Sequence, residues 1–494
     1  MDKKTNRIYI IAWIVIMAAG TALMFIGITH ESLWYDESYT AALTNHSLWD
    51  IIIITGSDSH PPLYYLVLRI YSMLFGSSVL ALRTFSVIGT VALAALGIGP
   101  VRRAFGNRFG LIYSFLIFAL PITFSMSQEA RMYTWSAFFV TSSALWGYLA
   151  YLDGKRKDWI IFGVTSLFAA YTHYYALLAA IIIFGLLLLM MLIKKKKMAS
   201  YFITAGIMVA GYLPWLFMLA GQVKRVTNSF WIPPVTGQVI KNTLIYPFSN
   251  KFSFHLSLNL VQIGFLIAAL FIVFGILYRI IKKDKNGSMA IFAVGVYALT
   301  ILAGVIASYI IRPVFVERYM MPVLGLFVIG IAYGIGSMGK KVLPVIGCLL
   351  ILGISIPQIN FTINYQFNGP MAEATEYIES VIQPGDVFLH TDEHTLGTFC
   401  YYFPENEQFY FQKEGTGGFS NYDAFLPTGT MIDSIDDIEC DGTVWLIQRY
   451  GSADTSSMRK WLSSGDIKYA GISKPFGIDT SWYSFMVYPM ELGK

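Results

Sequence analysis

Long apolar stretches separated by short polar segments run along most of the chain. Between residues 8 and 360, stretches of roughly 20 apolar residues recur, and each is long enough to cross about 30 Å of hydrocarbon as a helix. The pattern predicts an all-α polytopic membrane domain with about eleven transmembrane helices. They begin near Ile8, Val79, Phe109, Met132, Trp159, Tyr175, Ala199, Leu256, Met289, Tyr319 and Val342.

The pattern changes after Asn360. Residues 371–494 hold 19 acidic against 7 basic residues, and AEATEYIESVIQPGDVFLH is typical of an amphipathic helix, a Pro-Gly turn and a strand. The segments DGTVWLIQRY and SWYSFMVYP predict further strands. We therefore expect residues 1–360 to form the transmembrane domain and residues 361–494 a small extracytoplasmic α/β domain.

Composition and charge agree with this division. With 55% hydrophobic and 13% charged residues, the chain lies far from soluble globular proteins. Lys and Arg stay on the cytoplasmic side of short loops, and six cationic segments, placed at the N-terminus and after every second span, hold 19 of the 28 basic residues before residue 371. The pattern predicts a multi-pass cell-membrane protein with a cytoplasmic N-terminus and an extracytoplasmic C-terminal domain.

Neither the cysteines nor any nucleotide motif points to a function. Cys348 lies in the last predicted span, whereas Cys400 and Cys440 share the outer domain, so a disulfide between them stays open. No phosphate-loop motif supports a nucleotide-driven pump, and no nucleic-acid partner is expected.

The first outer loop, from about Thr29 to Ser78, carries the richest candidate chemistry. In LWYDESY, a carboxylate beside aromatic rings at a membrane surface is suited to act as a general base. Two adjacent side chains cannot face the same way, so we expect Asp36 to face a substrate and Glu37 to anchor the loop. The alternative is an ordinary solvated pair that caps the following helix.

The next motif, HPPLYYLVLRIYSMLFG, predicts a short helix that begins after a double proline. Arg69 near its middle would be costly in lipid, so we expect this helix to lie along the membrane surface. His60 could bind a metal, donate to a phosphate or pack against aromatic rings. A single His without ligand-spaced partners, taken alone, favours packing.

Further candidates stand at the outer ends of predicted spans. Their structural alternatives are helix-end charges and an interfacial aromatic belt. They are Glu129, Arg131 and Tyr133 in SQEARMYTW, His173 and Tyr174 in THYY, and Arg318 and Tyr319 in RPVFVERYMMP. The loop between Leu219 and Leu256 is expected to lie over the acceptor, with Gln222, Lys224, Arg225 and Trp231.

Four motifs in order carry a family resemblance: WYDESY, SDSHPPLYYL, LALRTFSVIG and SMSQEARMYTW. In this order they resemble the glycosyltransferase family 39-like enzymes of the GT-C superfamily, which include the protein O-mannosyltransferases and the lipid A aminoarabinose transferases. The resemblance covers residues 1 to about 360. It implies an inverting transfer of a sugar from a polyprenyl-phosphate-linked donor to an extracytoplasmic acceptor, which could be a protein, a wall polymer or a glycolipid.

The same resemblance implies roles for single residues. Asp36 and Glu37 match the family's catalytic acidic pair. The expected donor phosphate-binding residues are Arg83, Arg131, Arg318, Tyr319 and His60. Their places in the outer loops and at the outer helix ends, rather than the resemblance alone, give the possible substrate-binding residues Asp58, Glu129, Tyr133, His173, Tyr174 and Gln222.

Two positions depart from the family pattern. The chain has Gln128 and Glu129 where an Asp is expected, and Ser59 and His60 where the aminoarabinose transferases carry an acidic residue and a lysine. His-Pro-Pro itself is the form that protein mannosyltransferases have. No cofactor is predicted beyond the lipid-linked donor, and a divalent metal at His60 stays open.

Two other functional classes share the composition. A secondary transporter or flippase would place ionisable residues in the centres of spans, whereas here they cluster at the outer ends. A non-catalytic sensor or adhesin anchor is the third interpretation.

Overall fold

The computed structural model describes residues 3–228, 232–339, 342–365, 371–412, 422–450, 455–477 and 483–493. The chain forms two compact units. The first contains residues 1–26, 59–64 and 83–363, and the second contains residues 27–58, 65–82 and 364–494. The first outer loop is thus divided between the units. The boundary that we predict at residue 360 stays a prediction.

Seventeen α-helices are described before residue 365. They are α1 Lys3–Met24, α2 Tyr35–Leu43, α3 Leu48–Ser57, α4 Leu63–Phe75, α5 Val79–Ala95, α6 Arg102–Phe105, α7 Asn107–Ala119, α8 Pro121–Ser127, α9 Tyr133–Asp153, α10 Arg156–Thr172, α11 Tyr174–Ile193, α12 Ala199–Asn228, α13 Gly237–Ile245, α14 Leu258–Lys282, α15 Gly287–Ile310, α16 Leu324–Gly336 and α17 Val342–Asn364. Two 3₁₀ segments, Tyr246–Phe248 and Glu317–Val323, precede α14 and α16.

The predicted polytopic architecture is confirmed. Within the described residues, 8 helices are long and apolar enough to cross a membrane, and the pair α7 and α8, bent by 65°, raises the number to 9. The stretches predicted near Met132 and Trp159 coincide with α9 and α10, which are not among these. Every predicted stretch falls on a helix, while the total of about eleven spans stays a prediction.

Helix α16 forms the centre of the first unit. All of its residues are buried, and α7, α9, α14 and α15 pack around it. Small residues permit this close packing, because a methyl group on Gly334 would overlap the backbone carbonyl of Phe271 in α14. An apolar helix that is buried all round belongs in the core of a bundle rather than on its lipid-facing surface.

The first outer loop forms the short helices α2, α3 and α4, as expected of surface helices. Helix α4 has 13 residues and exposes apolar side chains on one side, including Met73, which is 68% exposed, and Leu74, which is 75% exposed. A helix of this length cannot span 30 Å of hydrocarbon at about 1.5 Å per residue.

The C-terminal segment forms the predicted small α/β domain within the second unit. Its described elements are α18 Met371–Val381, β1 Val387–His390, α19 Glu393–Tyr402, β2 Gln408–Phe411, β3 Gly429–Ile432, β4 Val444–Arg449, α20 Thr455–Ser464, β5 Ile467–Tyr469, β6 Lys474–Phe476 and β7 Phe485–Leu492. The strands form one sheet in the order β3-β2-β1-β4-β7-β5, and β6 pairs with β7.

Strands β1 to β4 pair with one another in parallel. Strand β7 pairs antiparallel with β4, β5 and β6. Parallel strands are usually covered on both faces, and β1 is buried at all four positions. Phe388 contributes to the core on one face of the sheet, while Val387 and Leu389 contribute to the core on the other. Alternate side chains of one strand therefore support two apolar cores.

Two details extend or correct the sequence reading. Cys400 and Cys440 are free thiols, and burial raises the pKa of Cys400 to about 12. The segment expected to form a loop after Leu219 continues as α12 to Asn228, so Gln222 lies on a helix. Trp231 lies outside the described residues.

Candidate functional site

A cluster of polar side chains lies where several helices of the first unit end. Arg131 precedes α9, His173 separates α10 from α11, and Arg318 is the second residue of the 3₁₀ segment that leads into α16. Nη2 of Arg131 lies 3.0 Å from Nε2 of His60. Helix ends concentrate such side chains because their residues leave the apolar layer and because their backbone groups offer hydrogen bonds.

Aromatic rings connect these helix ends. The ring centroids of Tyr133 and His173 are 5.9 Å apart, those of His173 and Tyr319 are 5.2 Å apart, and those of Tyr175 and Tyr319 are 5.2 Å apart. The hydroxyl of Tyr175 donates to the carbonyl of Val314 over 2.8 Å. These contacts join α9, α11 and the 3₁₀ segment into one wall.

His173 is a neutral hydrogen-bonding group in this wall. Burial lowers the pKa of His173, and so do the neighbouring His60, Arg131 and Arg318, because a second positive charge is unfavourable beside them. The resulting pKa is about 3. Its Nδ1 accepts a hydrogen bond from the backbone N–H of Tyr175 over 3.1 Å and thereby caps α11. The proton of the neutral ring is then on Nε2, which makes Nε2 a donor.

A cavity of about 280 Å³ opens beside the cluster within the first unit. Its wall is mainly apolar, with polar groups from two histidines, one glutamine, one serine and three tyrosines. It is lined by Ser59, His60, Pro61, His173, Tyr174, Tyr175, Leu177, Leu219, Gln222, Val223, Ile311, Val314 and Tyr319. An apolar cavity with a few convergent polar groups is the usual form of a small-molecule site.

Hydrogen bonds attach α12 to one side of this cavity. The hydroxyl of Tyr174 donates to Oε1 of Gln222, and Nε1 of Trp215 donates to the Tyr174 hydroxyl over 3.1 Å. Gln222 is 1% exposed, so its side chain belongs to the interior. The arrangement fixes the separation between the start of α11 and the last part of α12.

Two expected site residues are ionisable groups buried in the first unit. Arg83 in α5 and Glu129 before α9 are each 1% exposed. Thr134 Oγ1 donates to the carbonyl of Ser86 over 2.9 Å, which ties the start of α9 to α5. Charges in such surroundings are rarely kept without a function or a compensating partner.

The expected catalytic pair lies in the second unit, on the first turn of α2. Glu37 is completely buried, whereas Asp36 is partly exposed. Acidic residues are favourable there because the first turn of a helix carries a partial positive charge. Asp58, at the end of α3, is 3% exposed.

The structure thus divides the expected site residues between the two units. It brings ten of them into the first unit: His60, Arg83, Glu129, Arg131, Tyr133, His173, Tyr174, Gln222, Arg318 and Tyr319. Asp36, Glu37 and Asp58 belong to the second. The roles assigned to all of them stay predictions.

Sequence reasoning missed Tyr246, which is 2% exposed in the 3₁₀ segment before α14. Burial raises the pKa of Tyr246 well above its usual value, and the charges of Glu129 and Arg318 also act on it. Asn250 and Lys251, which follow closely, are also buried. A short polar segment, YPFSNK, between two apolar helices was the only signal available for them.

In the part of the chain that is described, no group of three or more His, Cys, Asp or Glu side chains is placed to hold a metal ion. His60 instead has the Arg131 guanidinium beside its Nε2. A cation next to this nitrogen does not favour a metal at the same position.

The comparisons with known proteins agree with this architecture. Residues 59–217 match the family described as dolichyl-phosphate-mannose-protein mannosyltransferase. No match is found among the curated proteins. Among solved structures, ArnT from Cupriavidus metallidurans in the apo state aligns over 99% of this chain and 98% of its own, with a TM-score of 0.62 at 12% identity.

A second ArnT structure from the same organism, bound to undecaprenyl phosphate, aligns over 96% of this chain and 97% of its own, with a TM-score of 0.61 at 13% identity. The chain has the fold of ArnT. The predicted fold, an all-α polytopic membrane domain with a small C-terminal α/β domain, is therefore confirmed.

Proposed function

We propose that the chain is an inverting membrane glycosyltransferase that moves a sugar from a polyprenyl-phosphate-linked donor to a hydroxyl of an extracytoplasmic acceptor. The observation that carries the proposal is the cavity of about 280 Å³ in the first unit, whose mainly apolar lining includes His60, His173 and Tyr319. An isoprenoid phosphate has the matching form, with a long apolar chain and one anionic end. The match to a mannosyltransferase family and the fold shared with ArnT support the same class of donor.

The cations beside the cavity are suited to the phosphate. Arg131 carries a planar guanidinium that can donate two parallel hydrogen bonds to phosphate oxygens, and Arg318 carries another. The neutral imidazole of His173 adds a donor at Nε2. Together these groups would stabilise the charge that grows on the phosphate as it leaves.

The reaction needs one base and one displacement. Asp36 takes the proton of the acceptor hydroxyl, whose oxygen attacks the anomeric carbon of the donor. The bond between that carbon and the phosphate oxygen breaks, and the phosphate leaves with the electron pair. One displacement inverts the configuration at the anomeric carbon. Asp36 is partly exposed whereas Glu37 is buried, and this difference in exposure supports Asp36 as the base.

The substitution Asp36→Asn tests this assignment. We expect transfer to fall roughly 100-fold or more, because the amide cannot accept the proton. In the assay, purified protein is incubated with candidate acceptors and with radiolabelled hexoses linked to undecaprenyl phosphate. Transfer is measured as the radiolabel that appears in the acceptor product. Binding of undecaprenyl phosphate itself should remain unchanged, because the arginines are intact.

Asp50→Asn is the matched control, since Asp50 is an exposed carboxylate of the same loop. Full turnover by Asp36→Asn would remove Asp36 from the mechanism. Movement of the intact lipid-linked sugar across the membrane, with no covalent product from any acceptor, would instead favour a flippase.

A further inference from the structure

The helix that carries Asp36 is held by the α/β domain within the second unit. The hydroxyl of Tyr35, the residue directly before Asp36, donates to Oε2 of Glu393 over 2.8 Å. The Tyr35 ring also lies against His394, with 4.4 Å between ring centroids and 32° between ring planes. Both partners stand on the first turn of α19.

Further contacts hold α2 along its length. The backbone N–H of Leu33 donates to the Tyr402 hydroxyl over 3.0 Å, which fixes the approach to α2. Helices α2 and α19 pack closely at Ser38 and Gly397. A Cβ added to Gly397 would lie only 2.8 Å from Oγ of Ser38, so the absence of a side chain on Gly397 permits this approach.

Helix α19 is in turn fixed to the sheet. His390 at the end of β1 is fully buried, and its two ring nitrogens lie 3.0 Å from Thr395 Oγ1 and 2.9 Å from Gln408 Oε1. The ring of Phe399 packs on Phe388 of β1 at 5.3 Å. A rigid support of this kind keeps the first turn of α19 in one place.

We infer that Glu393 is a positioning residue for sugar transfer, acting through Tyr35 to set the direction in which Asp36 points. This inference rests on the proposed function. A side chain on the first turn of α2 changes direction when that turn rotates, and the hydrogen bond from Tyr35 opposes the rotation. Glu393 does not touch the reacting atoms. Its loss would lower the fraction of molecules in which Asp36 is aligned, without altering the donor site.

The test compares Glu393→Ala, Glu393→Gln and Tyr35→Phe in the full-length protein. Both Glu393→Ala and Tyr35→Phe remove the hydrogen bond to the carboxylate. From the free energy of such a bond we expect kcat to fall roughly tenfold in each variant. The affinity for undecaprenyl phosphate should not change. Glu393→Gln keeps an acceptor oxygen and should recover most of the activity.

The double variant distinguishes positioning from a general loss of structure. If Glu393 acts through Tyr35, combining Tyr35→Phe with Glu393→Ala should cost no more than either change alone. Glu379→Ala and Tyr469→Phe are matched controls, because both side chains are exposed in the same unit. If the fall in kcat of the double variant is instead the product of the two single falls, the inference is wrong.

Amide hydrogen exchange provides a readout that needs no substrate. Glu393→Ala should speed exchange of the α2 amides, whereas Glu379→Ala should not. Unchanged exchange and unchanged kcat in Glu393→Ala, with Asp36→Asn inactive, would overturn the positioning role and leave the proposed function intact. An active Asp36→Asn protein would instead remove the proposed base, whatever Glu393 does.

Discussion

Histidine side chains in this chain differ sharply in their surroundings. His173 is 5% exposed and lies close to the positive charges of two arginines, while His30 is exposed. The low pKa of His173 means that its ring stays neutral at every physiological pH and serves as a hydrogen-bond donor and acceptor. Its cap on α11 depends on this neutral form, because a protonated Nδ1 cannot accept the hydrogen bond from Tyr175.

The pKa of His173 predicts a pH dependence of stability. Because the folded-state pKa is about 3 and the usual value is 6.5, the unfolded chain binds more protons between these pH values. Stability contributed by this site is therefore present above pH 6.5 and is lost as pH falls toward 3. His173→Asn keeps a capping side chain but cannot titrate, so Tm should fall less steeply below pH 6.5 than in the wild type.

Thermal unfolding of purified protein from pH 7.5 to pH 4 measures the difference. His30→Asn is the control and should reproduce the wild-type slope. Identical slopes for the wild type and His173→Asn would show that His173 is not buried in its neutral form.

At the scale of elements, α11 supplies one side of the cavity. Leu177 lines it, whereas Leu178, one position further along α11, does not. Successive residues of a helix point about 100° apart, so the side chains of the two leucines lie on different sides of α11. The lining of the cavity thus includes both His173, which caps this helix, and Leu177 from the turn that follows.

Filling the cavity should weaken donor binding. Leu177→Trp adds a large side chain to a space of about 280 Å³, and overpacking of this kind predicts roughly tenfold weaker binding of undecaprenyl phosphate. Activity at saturating donor should be retained, because the reacting groups are untouched. Leu178→Trp is the matched control. Equal affinities for undecaprenyl phosphate in the two variants would place the lipid elsewhere.

The sequence predicted elements better than it predicted their assembly. A long apolar stretch is enough to indicate a helix, so every predicted stretch falls on a described helix. The contact between His60 and Arg131 joins positions 71 residues apart, and that between Tyr35 and Glu393 joins positions 358 apart. No local pattern encodes such pairs. The resemblance selected side chains by type, but the division of the first outer loop between two units was not predictable.

At the scale of the whole molecule, the orientation in the membrane is open to a direct test. The distribution of Lys and Arg predicts that Lys195 faces the cytoplasm and that the α/β domain faces outward. A membrane-impermeant maleimide applied to intact cells should therefore label Ser380→Cys but not Lys195→Cys. Both positions are exposed, and Cys348, Cys400 and Cys440 are first replaced by Ser.

Permeabilised cells supply the control, since both cysteines should then react. Labelling of Lys195→Cys alone in intact cells would invert the topology. It would also place the proposed transfer on the cytoplasmic side.

The second unit combines segments that lie far apart in the sequence. Its segments up to residue 82 leave the ribosome well before its remaining segment, which begins at residue 364. At a synthesis rate of roughly 5–20 residues per second, the intervening stretch of roughly 280 residues delays completion by on the order of 15–60 s. During that interval α2 lacks the helix against which it packs. The early segment therefore depends on late translation, so premature termination would leave its apolar surfaces uncovered and prone to aggregation.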